Sequence, residues 1–372
     1  METKTHTPVS FKRKKSGAPL VIAGPCSAES EKQMLDTARQ LAKAGIDWFR
    51  AGIWKPRTRP GSFEGVGLKG LHWMNRIQQK YGLKVITEVA TTAHVEACLE
   101  MKIDAVWIGA RTCTNPFSVQ EIASAIRGTN IPVMVKNPMN ADMGLWIGAL
   151  ERIMAAGSNN VAAIHRGFPV ANKGKYRNMP MWEIPIELKR FMPHIPVLSD
   201  PSHICGNRTW LQEVSQKAMD LNFDGLMIES HNNPTAALSD AEQQLTPKAL
   251  EKLLRSLVLR QSFAGNKAVK ADLNELRSHI DELDTELIYT IRQRMDLVEK
   301  IAAYKKENNI AILQEDRWAE IIEARQKSAV ELGLPPELFL TIFQAVHQES
   351  IRQQTEIMNR GLYRKKSVLI PC

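Results

Sequence analysis

Four residues that lie far apart in the chain have side chains of the types that bind transition metals: Cys26, His203, Glu229 and Asp240. One thiolate, one imidazole and two carboxylates suit Mn²⁺, Fe²⁺, Co²⁺ or Zn²⁺, and Mn²⁺ is the ion we favour. A lone buried Cys or His is more often structural, so a metal site requires a fold that brings these residues together. The mixed ligand set leaves room for a substrate oxygen, which favours a Lewis acid over a structural ion.

A second group of residues is charged and predicts an anionic substrate. Each member ends, or closely follows, a short apolar run: Arg50, Glu88, Arg111, Lys136 and Arg166. Arginine suits phosphate because its planar fork binds two oxygens at once. Each cation has an alternative interpretation as a solvated charge at the protein surface, and Glu88 as a residue that only orients neighbouring cations.

Eight apolar runs separated by amphipathic stretches would position these side chains. The runs are LVIAG (20–24), DWFRAG (47–52), KVITEV (84–89), AVWIGA (105–110), PVMVKN (132–137), VAAIHRG (161–167), PVLSD (196–200) and GLMIES (225–230). Continuous apolar strands between helical patterns indicate a buried parallel sheet, and eight such units predict a (β/α)₈ TIM barrel over residues 1–260. The strand ends then share one rim, where barrel active sites lie. A doubly wound sheet is the alternative, but no G-x-G-x-x-G follows the first run.

Residues 272–364 predict an all-α domain of three helices, after a linker at residues 261–271. Apolar residues at spacings of three and four mark a long first helix that runs to about Glu307; they are Leu273, Leu276, Ile280, Leu283, Leu287 and Ile291. A second helix is predicted from Gln314 to Leu332, and a third from Pro335-Pro336 to about Asn359. Three helices cannot bury so long a stripe, so we expect a homodimer through this domain.

Net charge and composition limit the classes of molecule that we expect this protein to bind. The net charge is +9, of which residues 272–372 carry −3 and the first 271 residues +12. The basic residues are dispersed without an arginine-rich stripe, which favours small phosphates over nucleic acid. No run of 18 apolar residues and no secretory signal is present, so no membrane contact is expected. The five cysteines form no C-x-x-C pair, which fits a cytoplasmic protein.

Five motifs in the first 260 residues resemble the 3-deoxy-heptulosonate-7-phosphate (DAHP) synthases: GPCS (24–27), KPRT (55–58), IGAR (108–111), DPSH (200–203) and LSDAEQ (238–243). The resemblance implies a metal-dependent condensation of phosphoenolpyruvate with erythrose 4-phosphate that releases phosphate. It also implies the metal ligands Cys26, His203, Glu229 and Asp240.

The same resemblance assigns the substrate contacts. Phosphoenolpyruvate would be bound through its carboxylate by Arg50 and Lys136, and through its phosphate by Arg111 and Arg166. Lys55 would donate a proton, while Arg57 and Thr58 would bind the sugar phosphate. The sequence departs from the family's common pattern at His165, where Glu is usual, and at Asn137-Pro138. The sister synthases that make an octulosonate phosphate have an Ala-Asn version of the KPRT loop, so KPRT favours the four-carbon aldehyde.

The helical part resembles the all-helical chorismate mutases through L-R277-x-x-I-D-x-x-D, Arg294, Lys305, Arg317 and S350-x-x-x-Q354. On one helix, Arg294 and Lys305 fall about 20° apart, whereas Arg277 lies more than about 25 Å from Arg294. Most helix cations are ordinary surface charges, and the resemblance is what gives these a role. It implies that Arg294 and the partner's Arg277 bind the two carboxylates of chorismate.

In the same resemblance, Lys305 and Gln354 would donate to the ether oxygen, and Arg317 and Ser350 would position the ligand. Gln314 and Trp318 occupy positions where Asp and Glu are common in that family. The alternative is a helical domain that senses chorismate or prephenate without catalysis. Under either reading, fusion of an early pathway step to a later one predicts feedback by prephenate or chorismate on the synthase.

Overall fold

The structure is a computed structural model that describes residues 11–13, 16–55, 63–170, 174–260 and 267–360. The side chains of residues 267 and 315–317 lie outside that description. The chain divides into two compact units, Met1–Ser262 and Phe263–Cys372. No helix among the described residues is both long enough and apolar enough to cross a membrane.

The first unit is a closed barrel of eight parallel strands that neighbour one another in chain order, which confirms the predicted TIM barrel. Its strands are β1 Leu20–Gly24, β2 Trp48–Arg50, β3 Lys84–Val89, β4 Ala105–Ile108, β5 Val133–Lys136, β6 Val161–His165, β7 Val197–Ser199 and β8 Gly225–Glu229. Its helices are α1 Glu31–Lys43, α2 Lys69–Tyr81, α3 Thr92–Glu100, α4 Ala110–Cys113, α5 Pro116–Ile126, α6 Met143–Ala155, α7 Glu183–Phe191, α8 Pro201–Cys205, α9 Leu211–Asp220 and α10 Pro247–Ser256, with a 3₁₀ turn at Pro234–Ala236.

Side chains alternate across each strand and so define two buried layers. The barrel interior contains Ile22, Trp48, Ile86, Trp107, Met134, Ala162, Ile164, Leu198 and Met227, and Phe11 and Leu20 belong to the same cluster. The residues between them pack outward against the surrounding helices. Because the side-chain period is two, the residue two positions after an interior apolar side chain again faces inward. That geometry directs Arg50, Glu88, Lys136, Arg166, Asp200 and Glu229 into the mouth of the barrel.

Local sequence explains how several loops leave the strands. Gly24 has φ +152°, and a Cβ at this position would overlap the backbone of Arg50. Only glycine therefore allows the loop after β1 to pass this close to the end of β2.

Asp200 caps α8 by accepting a hydrogen bond from the backbone N–H of His203. Thr91, Asn115 and Asp142 cap α3, α5 and α6 in the same way, as the preference of these residues for N-caps predicts.

The second unit contains three helices, α11 Lys267–Glu307, α12 Glu315–Glu331 and α13 Pro336–Asn359. Helix α11 begins at Lys267, inside the range expected to be a linker, and is therefore about 60 Å long rather than about 50 Å. Among the described side chains of this unit, the buried apolar residues are Met295, Val298, Ala302 and Ala329, three of them in the second half of α11. In its first half the predicted apolar stripe is exposed, and Leu276, Ile280 and Leu283 are 60%, 56% and 63% accessible.

Candidate functional site

Three of the four predicted metal ligands converge at the barrel mouth. One donor atom from each of Cys26, Glu229 and Asp240 lies within 4.8 Å of the others. Sγ of Cys26 donates to Oδ2 of Asp240 at 3.2 Å. The backbone N–H of Cys26 donates to Oε1 of Gln244 at 2.9 Å, which ties the loop after β1 to the segment after β8. A ligand set separated by about 200 residues of chain is thus assembled by the barrel.

His203 lies beside this group, but it is not one of the residues whose donor atoms all lie within 4.8 Å of one another. Its Nε2 is 3.8 Å from Oε1 of Glu229, and its Nδ1 is 2.8 Å from Oδ2 of Asp200. Burial lowers the pKa of His203 below its ordinary value, although Asp200 opposes this effect. A neutral imidazole with one nitrogen oriented by a carboxylate is the form that ligates metals. Nε2 is then the nitrogen available on the side of Glu229.

The electrostatics of the cluster favour a bound cation. Burial, and then the negative charge of Glu229, raise the pKa of the Cys26 thiol to about 12. Burial also works to raise the pKa of Asp240, but His203 and Arg177 lower it by more, so this carboxylate stays ionised. Two carboxylates this close repel one another, and a divalent cation between them and Cys26 would relieve that repulsion and stabilise the thiolate. The donor set of sulfur, nitrogen and oxygen fits a transition metal.

A network of buried charges lies next to the cluster. Nη2 of Arg50 is 3.3 Å from Oε1 of Glu229, and Nζ of Lys136 is 2.7 Å from Oδ2 of Asp200. All four side chains are almost fully buried. The indole of Trp107 lies beneath both cations, with its ring centroid 4.9 Å from Cζ of Arg50 and 5.8 Å from Nζ of Lys136. A pair of cations over an aromatic face is suited to a small carboxylate.

Arg166 is buried on the neighbouring strand end, where other arginines surround it. Its Nη1 donates to Oδ1 of Asn178 at 3.0 Å. Burial, opposed by the charge of Asp200 and assisted by the positive charges of Arg177 and Arg111, lowers the pKa of Arg166 to about 10. Arg111 itself lies on α4 and is exposed. A group of neighbouring arginines can bind a polyanion such as a phosphate.

Asn137 explains one of the departures from the family pattern. Its side chain is buried, with Oδ1 accepting from the backbone N–H of Arg166 at 2.7 Å. Its Nδ2 donates to the carbonyls of Pro138 and Gly167, each at 3.0 Å. The residue therefore fixes the loop after β5 to the loop after β6. His165, the other departure, points outward between Trp146 and Trp182 rather than into the barrel.

Lys55 reaches into the cluster from the loop after β2. Its Nζ donates to Sγ of Cys26 at 3.3 Å, and a Cβ on Gly52 would overlap the end of the lysine side chain. Burial alone lowers the pKa of Lys55, but the charges of Cys26 and Glu88 outweigh it, so the pKa is raised. Lys55 is therefore a protonated donor at neutral pH. Arg57 and Thr58 lie outside the described residues.

The carboxylate of Glu88, at the end of β3, is fixed by a hydrogen bond. Its Oε2 accepts from Nε1 of Trp107 at 3.1 Å. A Cβ on Gly109 would overlap Oε1 of Glu88, so a larger residue there would displace this carboxylate. Together with its effect on the pKa of Lys55, this placement fits a residue that orients neighbouring groups, which was the alternative interpretation from the sequence.

In the helical unit, the predicted pocket residues of α11 and α13 meet. Nη1 of Arg294 donates to Oγ of Ser350 at 2.6 Å. Gln354 is one turn further along α13 and is 8% exposed, and its Oε1 is a buried atom without a hydrogen-bond partner among the described residues. Burial, and then the positive charge of Arg325, lower the pKa of Arg294. Two neighbouring cations can bind a carboxylate ligand.

The other predicted residues of the helical unit do not contact Arg294 or Ser350 in the hydrogen bonds described for them. Nζ of Lys305 donates to the carbonyl of Ile312 at 2.6 Å. Arg277 is exposed near the start of α11 and donates to Oδ1 of Asn274 at 3.4 Å. The side chain of Arg317 lies outside the described residues. Trp318 stacks on His347, with ring centroids 3.8 Å apart, so this departure from the family pattern forms an aromatic pair.

Sequence reasoning missed several residues of both sites. They are Trp107, Arg177, Asp200, Gln243 and Arg325. Asp200 and Trp107 were detectable, because each occupies an inward position in the strand alternation. Arg177 lies in a loop, and Gln243 lies in an irregular segment. Arg325 lies on a helix rich in other charges. No periodicity distinguishes them, so only their contacts show their relevance.

Comparison with known families gives one match for each unit. Residues 6–262 match the model of the DAHP synthetase I family. Residues 276–355 match the model of chorismate mutase type II.

Individual relatives resemble the barrel. A phospho-2-dehydro-3-deoxyheptonate aldolase of Thermotoga maritima is 31% identical over 237 residues, which is 64% of this chain and 68% of the relative. A 2-dehydro-3-deoxyphosphooctonate aldolase of Desulfotalea psychrophila is 29% identical over 65% of this chain and 90% of its own. The crystal structure of the Thermotoga maritima DAHP synthase matches with a TM-score of 0.57 and 30% identity, over 64% of this chain and 68% of that one.

Proposed function

The chain belongs to the DAHP synthetase I family and carries a chorismate mutase type II domain after the barrel, so it is an enzyme with both activities, and we propose how its residues divide the two reactions. The barrel condenses phosphoenolpyruvate with erythrose 4-phosphate and one water molecule to 3-deoxy-D-arabino-heptulosonate 7-phosphate and phosphate. The helical unit rearranges chorismate to prephenate. Support comes chiefly from one observation, the ring of buried cations beside the Cys26, Glu229 and Asp240 cluster.

Phosphoenolpyruvate binds over Trp107 in this proposal. Arg50 and Lys136 hold its carboxylate, and Arg111 and Arg166 hold its phosphate. The two cations proposed to bind the substrate's carboxylate, Arg50 and Lys136, are each paired with a buried acidic side chain. They are therefore fixed in place before the substrate arrives. Preorganised cations of this kind stabilise negative charge without the cost of reorientation.

The synthase reaction is proposed to depend on a divalent cation, with Mn²⁺ favoured, held by Cys26, His203, Glu229 and Asp240. Bound there, such an ion would act as a Lewis acid toward the aldehyde oxygen of erythrose 4-phosphate, the carbonyl group that C3 of phosphoenolpyruvate would attack. Lys55, which is protonated and adjacent to Cys26, donates the proton that the new hydroxyl group requires. Glu88 orients Lys55 and Trp107. Arg57 and Thr58 bind the phosphate of the sugar.

The aldehyde is the part of this assignment that most needs a test, since the relatives include octulosonate phosphate enzymes. We expect the protein with Mn²⁺ to consume erythrose 4-phosphate at least tenfold more efficiently than arabinose 5-phosphate, measured as kcat/KM from phosphoenolpyruvate loss at 232 nm. A preference for the five-carbon aldehyde would overturn the assignment to heptulosonate. Loss of both rates after exhaustive chelation, with recovery on Mn²⁺ addition, is the result expected for a metal-dependent synthase.

The mutase reaction needs no nucleophile, because the rearrangement is pericyclic. Arg294 and the partner's Arg277 bind the two carboxylates of chorismate, and Lys305 and Gln354 donate to its ether oxygen. Ser350 orients Arg294, and Arg317 completes the pocket. The exposed stripe of α11 supports the homodimer that this arrangement requires. Catalysis then consists of conformer selection and electrostatic stabilisation of the transition state.

Chorismate loss by the full-length protein, beside its Arg294→Ala variant, tests this half of the proposal. Loss of more than 100-fold in kcat/KM in the variant is expected, because one carboxylate of the ligand then lacks its half-buried cationic partner. A matched control is Arg292→Ala, since Arg292 lies on the same helix but is 64% exposed and pairs with Asp296. Absence of turnover in every protein would favour the alternative, a sensing helical domain, for which the Trp318–His347 pair in place of an acidic residue is the supporting observation.

Two further proposals concern the setting of the enzyme. Prephenate or chorismate bound at the helical unit is proposed to slow the synthase. The protein is proposed to act in the cytoplasm, where reducing conditions preserve the thiol of Cys26. The four described cysteines are all free and buried, which supports such a setting.

A further inference from the structure

One buried glutamine connects the two carboxylates of the proposed metal site. Gln243 follows Asp240 by three residues and is 1% exposed. Its Nε2 donates to Oε2 of Glu229 at 2.7 Å, and its Oε1 accepts from Nη1 of Arg177 at 3.0 Å. Both ends of the amide are therefore occupied by charged groups. A buried side chain used in this way fixes the positions of its partners.

Arg177 closes the connection on the other side. The same Nη1 donates to Oδ1 of Asp240 at 3.0 Å. The backbone of Arg177 is anchored by a hydrogen bond from its N–H to the carbonyl of Cys205 at 3.3 Å, and its side chain packs where a Cβ on Gly206 would lie. Arg177 and Gln243, which we call the carboxylate bracket, thus link Glu229 to Asp240 through three hydrogen bonds.

The bracket uses only one oxygen of each carboxylate. Oε2 of Glu229 and Oδ1 of Asp240 are the oxygens that accept from it. Oε1 of Glu229 is buried, lies 3.3 Å from Arg50, and has no hydrogen bond among the described residues. Oδ2 of Asp240 accepts only the weak donor Sγ of Cys26 among the described contacts. The two oxygens outside the bracket are therefore those that face the thiol and the imidazole.

The backbone at Asp240 shows why such support is needed. Its φ is +46°, in the left-handed region that residues other than glycine rarely adopt. Strain of this kind persists only where surrounding contacts maintain it. Mutual repulsion between the carboxylates of Asp240 and Glu229 would also separate these two ligands if nothing held them.

We propose that Arg177 and Gln243 are positioning residues of the metal site, which direct one oxygen of Glu229 and one of Asp240 toward the ion and prevent either carboxylate from turning away. The inference rests on the proposed metal dependence of the barrel. It assigns a role in ion binding to two residues that do not touch the ion themselves.

The test is the affinity of the full-length protein for Mn²⁺ alone, measured from the electron paramagnetic resonance signal of free Mn²⁺ without substrates. Gln243→Met has nearly the same volume but neither hydrogen bond, and we expect its affinity to fall by about 10- to 100-fold, as for other groups that orient metal ligands. Arg177→Met should behave similarly, and Arg177→Lys should recover part of the loss. Glu242→Met is the matched control, because Glu242 is adjacent and exposed; its affinity should equal that of the unsubstituted protein.

A second measurement separates positioning from general destabilisation. With Co²⁺ bound, the thiolate-to-cobalt absorption of Cys26 should weaken or shift in Gln243→Met, while the unfolding temperature of the metal-free protein changes little. Where Gln243→Met does not fold, the partly exposed Arg177 supplies the decisive variants. Unchanged Mn²⁺ affinity in Gln243→Met and Arg177→Met would overturn the bracket alone. Failure of the unsubstituted protein to bind one equivalent of Mn²⁺ would overturn the metal proposal and the bracket with it.

Discussion

Trp107 is the side chain on which the proposed phosphoenolpyruvate site is built. It is fully buried, lies beneath Arg50 and Lys136, and donates to Glu88. Desolvated cation–π contacts contribute up to about 2 kcal/mol each. We expect Trp107→Leu to raise the KM for phosphoenolpyruvate by about 10- to 30-fold, because about 1.4 kcal/mol corresponds to a factor of ten.

Trp107→Phe is the matched control for that prediction. It retains an aromatic face beneath the two cations but lacks the N–H that donates to Glu88, so its KM for phosphoenolpyruvate should rise much less. Initial rates of phosphate release at varied phosphoenolpyruvate would measure both variants, each checked for its unfolding midpoint. An equal KM in Trp107→Leu and in the unsubstituted enzyme would show that the ring is only core packing.

His165 leads to a prediction about stability and pH. Burial lowers its pKa from 6.5 to about 3. Between those values the unfolded chain binds a proton that the folded chain does not, so folding becomes less favourable as the pH falls through this window. From pH 7.5 to pH 5 the loss is roughly 2 kcal/mol in the free energy of unfolding. Urea denaturation at both pH values would measure it.

His165→Phe should remove that part of the pH dependence, because phenylalanine does not titrate and suits the surrounding aromatic side chains. The comparison is between the two proteins, since other groups titrate over the same range. If both proteins lose the same free energy of unfolding on acidification, His165 is not the cause.

At the scale of elements, α11 has two halves with different surroundings. Its second half contributes to the core of the helical unit, whereas Leu273, Leu276, Ile280, Leu283 and Leu287 form an exposed apolar stripe in its first half. A stripe of this length on one helix is typical of a surface that packs against another helix. The proposed homodimer supplies that partner, together with the second Arg277.

Leu283→Lys should therefore convert a dimer to a monomer and reduce chorismate turnover, because the pocket then lacks the partner's Arg277. Sedimentation equilibrium would measure the mass, and chorismate loss would measure the activity. Ser278→Lys is the control, since Ser278 lies on the opposite face of the helix and is exposed. A Leu283→Lys variant that stays dimeric with full turnover would contradict this interface.

At the scale of the whole molecule, the two units are joined in one chain although each has its own core and its own cluster of cations. Proposed feedback gives a reason for this fusion. Prephenate or chorismate that binds near Arg294 should slow the synthase, and allosteric coupling of this kind typically amounts to about 5- to 150-fold in affinity. Initial synthase rates with and without each ligand would measure it, with Arg294→Ala as the insensitive control. Equal rates in all cases would contradict feedback.

Much of the fold was predictable because it depends on periodicity. The eight strands lie within the eight predicted runs, and α11, α12 and α13 end within a residue of their predicted positions. The start of α11 was wrong by five residues, because QSFAGNKAVKA reads as a polar linker although its last five residues are helical. The position of the charged residues at the ends of the predicted strands also predicted that they share one rim.

The sequence alone determined which side chains reach the barrel mouth and which face of α11 is apolar, since both follow from the geometry of a single strand or helix. Only the tertiary structure decided what those side chains contact. Cys26 meets Asp240 across 214 positions, and Arg177 meets Gln243 across 66. Such contacts depend on loop paths that no local period specifies. For that reason the ligand types were predictable, whereas the residues that hold them in position were not.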